Sequence, residues 1–83
     1  SDPVRSKILS NLNWEAFECL YTWKTSSEVL EIIGYPTQNI TKSLAMEASR
    51  VLADITGKKA QRQGKHGDRK YFVPPVMLEG YSV

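Results

Sequence analysis

The stretch ITKSLAMEASRVLADITG, residues 40–57, constrains the fold more than any other part of the chain. At ~100° per residue, its apolar side chains fall on one side of a helix: Ile40, Leu44, Ala48, Val51, Leu52 and Ile55. The other side carries Lys42, Met46, Ser49, Arg50 and Ala53. Asn39 or Thr37 can cap the start, and Gly57 suits a left-handed helix end. The pattern predicts an amphipathic helix that packs one side against a core.

A shorter helix precedes it in TSSEVLEIIG, residues 25–34. Thr25 and Glu28 have the capping-box spacing, in which each side chain accepts a hydrogen bond from the other residue's backbone amide. Gly34 supplies the stop, which predicts a helix of about nine residues. Pro36 disfavours helix at the residue before it, so YPTQN is predicted to be a turn. Residues 25–56 therefore have the pattern of a helix-turn-helix.

The N-terminal segment is predicted to be helical as well. Asp2 can cap a helix and Pro3 suits its first position, so we expect a helix from about residue 3 to about residue 20. The polar NLN at residues 11–13 predicts a break within it. The dipeptide Trp23-Lys24 is expected to form a short extended link.

Several side chains of this N-terminal half are expected in the core. Cys19 is the single cysteine, and in an apolar stretch a free thiol usually behaves as a small buried hydrophobe. A lone cysteine also indicates a reducing, cytoplasmic compartment. Aromatic side chains in a domain of this size are more often core than stacking surfaces; these are Trp14, Phe17, Tyr21 and Trp23.

Residues 57–70, here called the basic segment, concentrate the positive charge. The segment has six basic residues against one acid, a net charge of +5, whereas the rest of the chain has a net charge of −3. KKAQRQ and RKYFV are predicted strands on either side of GKHGD, a loop with glycines, and Pro74-Pro75 ends the second strand. A β-hairpin is therefore predicted.

Together these elements predict one α+β domain, mostly α, of the winged helix-turn-helix kind. With 83 residues and 41% hydrophobic content, the chain can build one small core but hardly a deep substrate pocket. We expect it to be a fragment of a larger protein. The expected parts are an N-terminal helical segment (1–22), the helix-turn-helix (25–56), the β-hairpin wing (57–75) and a tail (76–83) that packs back on the first helix or frays.

Such a domain suits DNA, because a helix fits the major groove while a basic hairpin reaches phosphates beside it. The helix side chains expected to face DNA are Thr41, Lys42, Met46, Ser49 and Arg50. The hairpin side chains expected to contact the backbone are Lys58, Lys59, Arg62, Lys65, Arg69 and Lys70, with His66 at the tip. The predicted partner is duplex or forked DNA.

Other kinds of site do not fit the sequence. GKHGD lacks the G-x-x-x-x-G-K-[ST] pattern of a nucleotide-binding loop, which also needs a helix after it. His66 has no second His or Cys at a ligand spacing, and Cys19 has no base nearby in sequence. We therefore expect no catalysis, no metal and no cofactor. No long apolar run or signal peptide occurs, so no membrane association is expected.

Residues 23–75 match, at part of its positions, a family pattern made of a helix “tS.E.L..lG”, a helix “..a..RvL..lG”, a basic hairpin and a closing “Y.vPp”. The matching positions are Ser27, Glu28, Leu30, Gly34, Arg50, Val51, Leu52, Gly57, Arg69, Tyr71, Val73 and Pro74. This succession resembles the C-terminal domain of virulence-associated E-type and satellite-phage-type primase-helicase proteins. The resemblance implies a DNA-binding appendage of a phage or mobile-element replication ATPase, with a protein partner in the replication complex and all catalytic motifs outside this chain.

A second interpretation is a winged-helix module for protein interaction or oligomerisation. In it Ala45, Met46 and Ala53 form a small apolar contact, and the cationic hairpin meets an acidic protein. The simplest interpretation of the same charges is a solvated helix surface and a hairpin edge kept soluble by its cations.

Overall fold

The computed structural model describes residues 2–57, the backbone of residues 61–63, and residues 68–77. It has a small α+β fold, mostly helical, as predicted. Its elements are α1 (Pro3–Asn11), β1 (Thr22–Lys24), α2 (Ser26–Ile32), α3 (Lys42–Thr56), β2 (Gln61–Gln63) and β3 (Asp68–Val73), with 3₁₀ turns at Glu18–Leu20 and Thr37–Asn39. The described part of the chain contains no helix with the length and apolar content needed to cross a bilayer.

Helix α1 begins as predicted and ends much earlier. The Asp2 carboxylate accepts hydrogen bonds from the N–H groups of Val4 and Arg5. The helix ends at the predicted break, residues 11–13, whereas the prediction that it continues to about residue 20 is wrong. At Leu12 the backbone becomes extended and forms an antiparallel bridge to Val76. The helix ends there because its next backbone groups pair with a segment more than sixty residues away in sequence.

The chain after α1 is more exposed than the sequence predicted. Phe17 is 80% exposed and Leu20 is 55% exposed, and Cys19 is exposed too. The predictions that Phe17 and Cys19 are buried are wrong, because these residues lie in and beside a 3₁₀ turn rather than on the inner side of a helix. Trp14 is partly buried and packs against the core, and its indole N–H donates to the carbonyl of Ile8 at 3.1 Å.

The predicted link at Trp23-Lys24 is a strand of the sheet. β1 pairs antiparallel with β3, and β3 pairs antiparallel with β2, so the three-stranded sheet has the order β1-β3-β2. The hairpin of β2 and β3 was predicted, whereas the pairing of β1 was not. The hairpin is thereby attached to the segment that leads into α2.

Side chains alternate along β3 between two environments. Tyr71 and Val73 are buried in the core, 5% and 0% exposed. Phe72 points to the opposite side of the sheet, where its ring centroid lies 5.0 Å from that of Trp23 and 5.3 Å from that of Tyr21. Aromatic rings thus cover the side of the sheet that faces away from the core.

The capping box predicted at the start of α2 and the glycine predicted to end the helix are both confirmed. The Thr25 hydroxyl accepts from the N–H of Glu28 at 3.1 Å, and the Glu28 carboxylate accepts from the N–H of Thr25 at 2.8 Å. Gly34 has φ +112°, a region open to glycine and strained for other residues. The helix has seven residues rather than the nine expected.

Helix α3 has the predicted apolar side and the predicted end at Gly57, which has φ +64°. Its cap is Thr41, whose hydroxyl accepts from the N–H of Leu44 at 3.1 Å. The prediction of Asn39 or Thr37 as the cap is wrong, because both lie in the preceding 3₁₀ turn. The buried core joins all three helices to β3: Val4, Ile8, Leu12, Val29, Leu30, Ile33, Ala48, Val51, Leu52, Tyr71 and Val73.

Two leucines provide a matched test of this core. Leu52→Ala should lower the free energy of unfolding by about 2–5 kcal/mol, because Leu52 is 0% exposed and its truncation leaves a cavity. Leu20→Ala should change it by less than about 0.5 kcal/mol, because Leu20 is largely exposed. Urea unfolding followed by tryptophan fluorescence measures both. Equal losses would favour the long N-terminal helix over the 3₁₀ turn.

The capping box predicts a pH dependence of stability. The backbone hydrogen bond from Thr25 lowers the pKa of Glu28 below its ordinary value of 4.5, with help from the Thr25 side chain and the charges of Lys24 and Lys70. Stability from a lowered carboxyl pKa is fully present above the unfolded value and is lost as the pH falls through the folded one.

The neutral variant Glu28→Gln should therefore lose less stability than the parent chain between neutral pH and about pH 3. Glutamine can still accept the hydrogen bond of the box, so the cap itself remains. Thermal melts at both pH values measure the difference. Glu15→Gln, which removes an exposed carboxylate outside the box, should keep the parent's acid loss; a similar effect in both variants would contradict the assignment.

Candidate nucleic-acid interface

The outward face of α3, defined by Lys42, Met46 and Arg50, lies opposite the core. All three side chains are exposed, and Met46 is 63% exposed. These residues recur every four positions, so they follow one another along the helix surface. Met46 is a thioether that lies between the cations of Lys42 and Arg50. Ala48, Val51 and Leu52 hold the other side of the helix in the core, so this face is turned outward. The structure therefore brings together three of the five helix residues predicted to face DNA.

An open depression in this surface is lined by five residues of the first turns of α3: Lys42, Ser43, Met46, Glu47 and Arg50. Ser43 and Glu47 were not among the residues predicted to face DNA. Glu47 is partly buried within the same depression as the two cations. Helical periodicity predicts that both lie beside Lys42, since at ~100° per residue Ser43 and Glu47 are about 100° and 140° around the axis from it. The depression has a net charge of +1.

The remaining helix residues of the prediction have mixed positions. Thr41 is exposed, and its oxygen caps the helix while its hydroxyl hydrogen can still be donated to a ligand. Ser49 is partly buried. Ala53, expected on the outer side, is partly buried and packs against the core.

The basic segment is described only in part. Lys58, Lys59, Lys65 and His66 lie outside the described residues, and so does the side chain of Arg62. The backbone register places Arg62 directly opposite Arg69. Arg69 is exposed, whereas Lys70 is partly buried. The hairpin thus carries two arginine positions side by side on neighbouring strands.

Lys70 lies where its charge acts on the start of α2. Its ammonium and that of Lys24 both contribute to the lowered pKa of Glu28. Lys24 pairs with Tyr71 in the sheet, next to Lys70 on the chain. Arg69 is the clearer candidate for a contact with an external anion.

Charge and shape define what this surface can do chemically. The outward face of α3 offers two flexible cations and a polarisable apolar side chain to a ligand. In the described part of the chain, no three His, Cys, Asp or Glu side chains come together in a group that could hold a metal ion. No protein-family model, curated protein or solved structure matches this chain.

Proposed function

We propose that this chain is a winged helix-turn-helix module that binds DNA through α3 and the hairpin of β2 and β3. The observation that carries the proposal is the outward face of α3, where Lys42, Met46 and Arg50 project from a helix that is otherwise anchored in the core. The hairpin with Arg69 follows this helix directly along the chain. The outward face of α3 alone would be an ordinary solvated side of a helix. Because the basic hairpin follows it directly, the two surfaces together favour a polyanion as the ligand.

The topology supports the same proposal. In winged-helix domains a first helix and a short strand precede the helix-turn-helix, and a hairpin follows it. Here β1 lies between α1 and α2, residues 33–41 with their 3₁₀ turn join α2 to α3, and β1 pairs with the second strand of the hairpin. The strand order β1-β3-β2 is compatible with that arrangement. The recognition helix is then α3 and the wing is the hairpin.

The dimensions of α3 fit the proposed groove. A helix with side chains is about 10–12 Å wide, and the major groove of B-DNA is about 12 Å wide. Thr41 and Lys42 stand at the start of α3, where the helix dipole favours negative charge, and its first turn has no acid. Phosphates beside the groove would contact this end of the helix. Arg50 would reach a base edge or the opposite backbone.

The basic segment adds the electrostatic part of the binding. Its net charge of +5 contrasts with −3 over the rest of the chain, so the positive charge is concentrated in one segment of the sequence, which favours a polyanionic partner. Each phosphate contact releases about 0.9 counterions from duplex DNA. Binding should therefore weaken steeply as salt is raised.

The resemblance of residues 23–75 gives the proposal a biological setting, as a C-terminal appendage of a phage or mobile-element primase-helicase. The full-length reading frame tests this setting. A nucleoside-triphosphatase motif upstream in the same polypeptide would support it. A frame without such a motif would remove the replication setting and leave the DNA-binding proposal to stand on α3 and the hairpin.

A protein-interaction module is the second candidate. It is favoured by the exposed side chain of Met46, because an apolar group at the centre of a helix surface also suits a protein partner. The partner would be acidic, to match Lys42, Arg50 and the hairpin. Titration of fluorescent duplex at physiological salt separates the two candidates. No binding below about 100 μM, weaker than most non-specific DNA binding, would favour the protein partner.

Salt dependence tests the contribution of the hairpin. Arg69→Ala should lower the slope of log affinity against log salt by about 0.9, because one phosphate contact is lost. Adding Arg62→Ala and Lys65→Ala should lower it by about 2–3 in total. Fluorescence anisotropy over a series of salt concentrations measures the slope.

The matched control for this test is Lys7→Ala. It also removes one positive charge, but from α1, where the ammonium lies 4.5 Å from the ring centroid of Tyr35. Its salt slope should equal that of the parent chain. If the hairpin triple variant kept the parent slope, the hairpin would not be part of the interface.

A further inference from the structure

We propose that Met46 reads the methyl group of thymine in the major groove and so gives α3 a preference for T over C or U at the centre of its contact. This inference rests on the proposed function and adds the base that the helix selects. Its basis is the position of a 63% exposed thioether between two exposed cations on the outward face of α3.

Helix geometry places Met46 at the midpoint of this face. Lys42 and Arg50 are each four residues away, which is about 6 Å along the axis and about 40° around it, in opposite directions. The two cations are therefore about 12 Å apart along the helix, a span of about three to four base pairs. With the cations on phosphates or base edges at either end, the thioether meets a base pair between them.

The chemistry of the groove then limits what Met46 can recognise. The major-groove edges of adenine, guanine and cytosine present hydrogen-bond donors and acceptors, whereas thymine adds its C5 methyl. A thioether is at best a weak acceptor, so it gains most from an apolar contact. Met46 is the one large apolar side chain of α3 exposed in the described structure. Its best match in the groove is the thymine methyl.

The neighbours of Met46 are compatible with this contact. Ser43 and Ser49 are small, so the helix can approach the groove floor closely around the thioether. Glu47 lies in the same depression, and an ionised carboxylate only accepts hydrogen bonds. It is repelled by phosphates and by guanine acceptors and can accept from an amino group of adenine or cytosine. An A·T-rich contact supplies both the methyl for Met46 and an amino donor for Glu47.

The experiment removes only the methyl groups of the DNA. The chain is titrated by anisotropy against two DNA duplexes of equal length. One has alternating A and T, and in the other deoxyuridine replaces every T. The alternating sequence presents equivalent base pairs at every step, so the binding register does not matter. The parent chain should bind the thymine duplex about fourfold more tightly, which corresponds to the burial of one methyl group, about 0.8 kcal/mol.

Three variants assign this preference to one side chain. Met46→Ala should bind the two duplexes equally. Met46→Leu should retain the preference, because it keeps an apolar side chain of similar volume. Met77→Ala should retain it as well. Met77 is a methionine outside α3 that is 45% exposed. Circular dichroism confirms that each variant is folded before titration.

The outcomes separate this inference from the proposed function. Equal binding of both duplexes by the parent chain would overturn the reading of thymine and leave DNA binding intact. A preference that persists in Met46→Ala would overturn the assignment to Met46. If neither duplex were bound at physiological salt, the proposed function would fail, and the inference with it.

Discussion

The rest of the structure depends on the pairing of β1 with β3. An isolated two-stranded hairpin is at best marginally stable in water, and the third strand turns it into a sheet with one side in the core. The same pairing joins two segments that are distant in sequence. β1 stands directly before the capping box at Thr25, and β3 is the second strand of the basic hairpin. The hairpin is thereby held in a fixed relation to the start of α2.

This arrangement explains the distribution of charge on the surface. The pKa of Glu28 is lowered first by the backbone hydrogen bond from Thr25 and further by the nearby charges of Lys24 and Lys70. The exposed cations that remain in the described structure include Arg69 on the hairpin and Lys42 and Arg50 on α3. The proposed partner of both elements is anionic over an extended length, as DNA or an acidic protein surface is.

Local sequence patterns predicted the elements whose hydrogen bonds are local. The Thr25 and Glu28 box, the positive φ of Gly34 and Gly57, and the apolar side of α3 are set by residues within four positions of one another. The polar NLN at residues 11–13 predicted where α1 ends, but not that Leu12 pairs there with Val76, because that contact joins segments far apart in sequence. For the same reason Phe17 and Cys19 were wrongly expected in the core.

The candidate site, too, was predictable where it depends on local sequence and not where it depends on contacts between distant segments. The sequence alone determined that α3 is amphipathic, that its outer side carries Lys42, Met46 and Arg50, and that cations follow it, because helical periodicity and charge are properties of the chain itself. Only the tertiary structure decided that β1 joins the sheet and that Leu12 pairs with Val76. Strand pairing and burial depend on contacts between distant segments, and such contacts leave no periodic signal in the sequence.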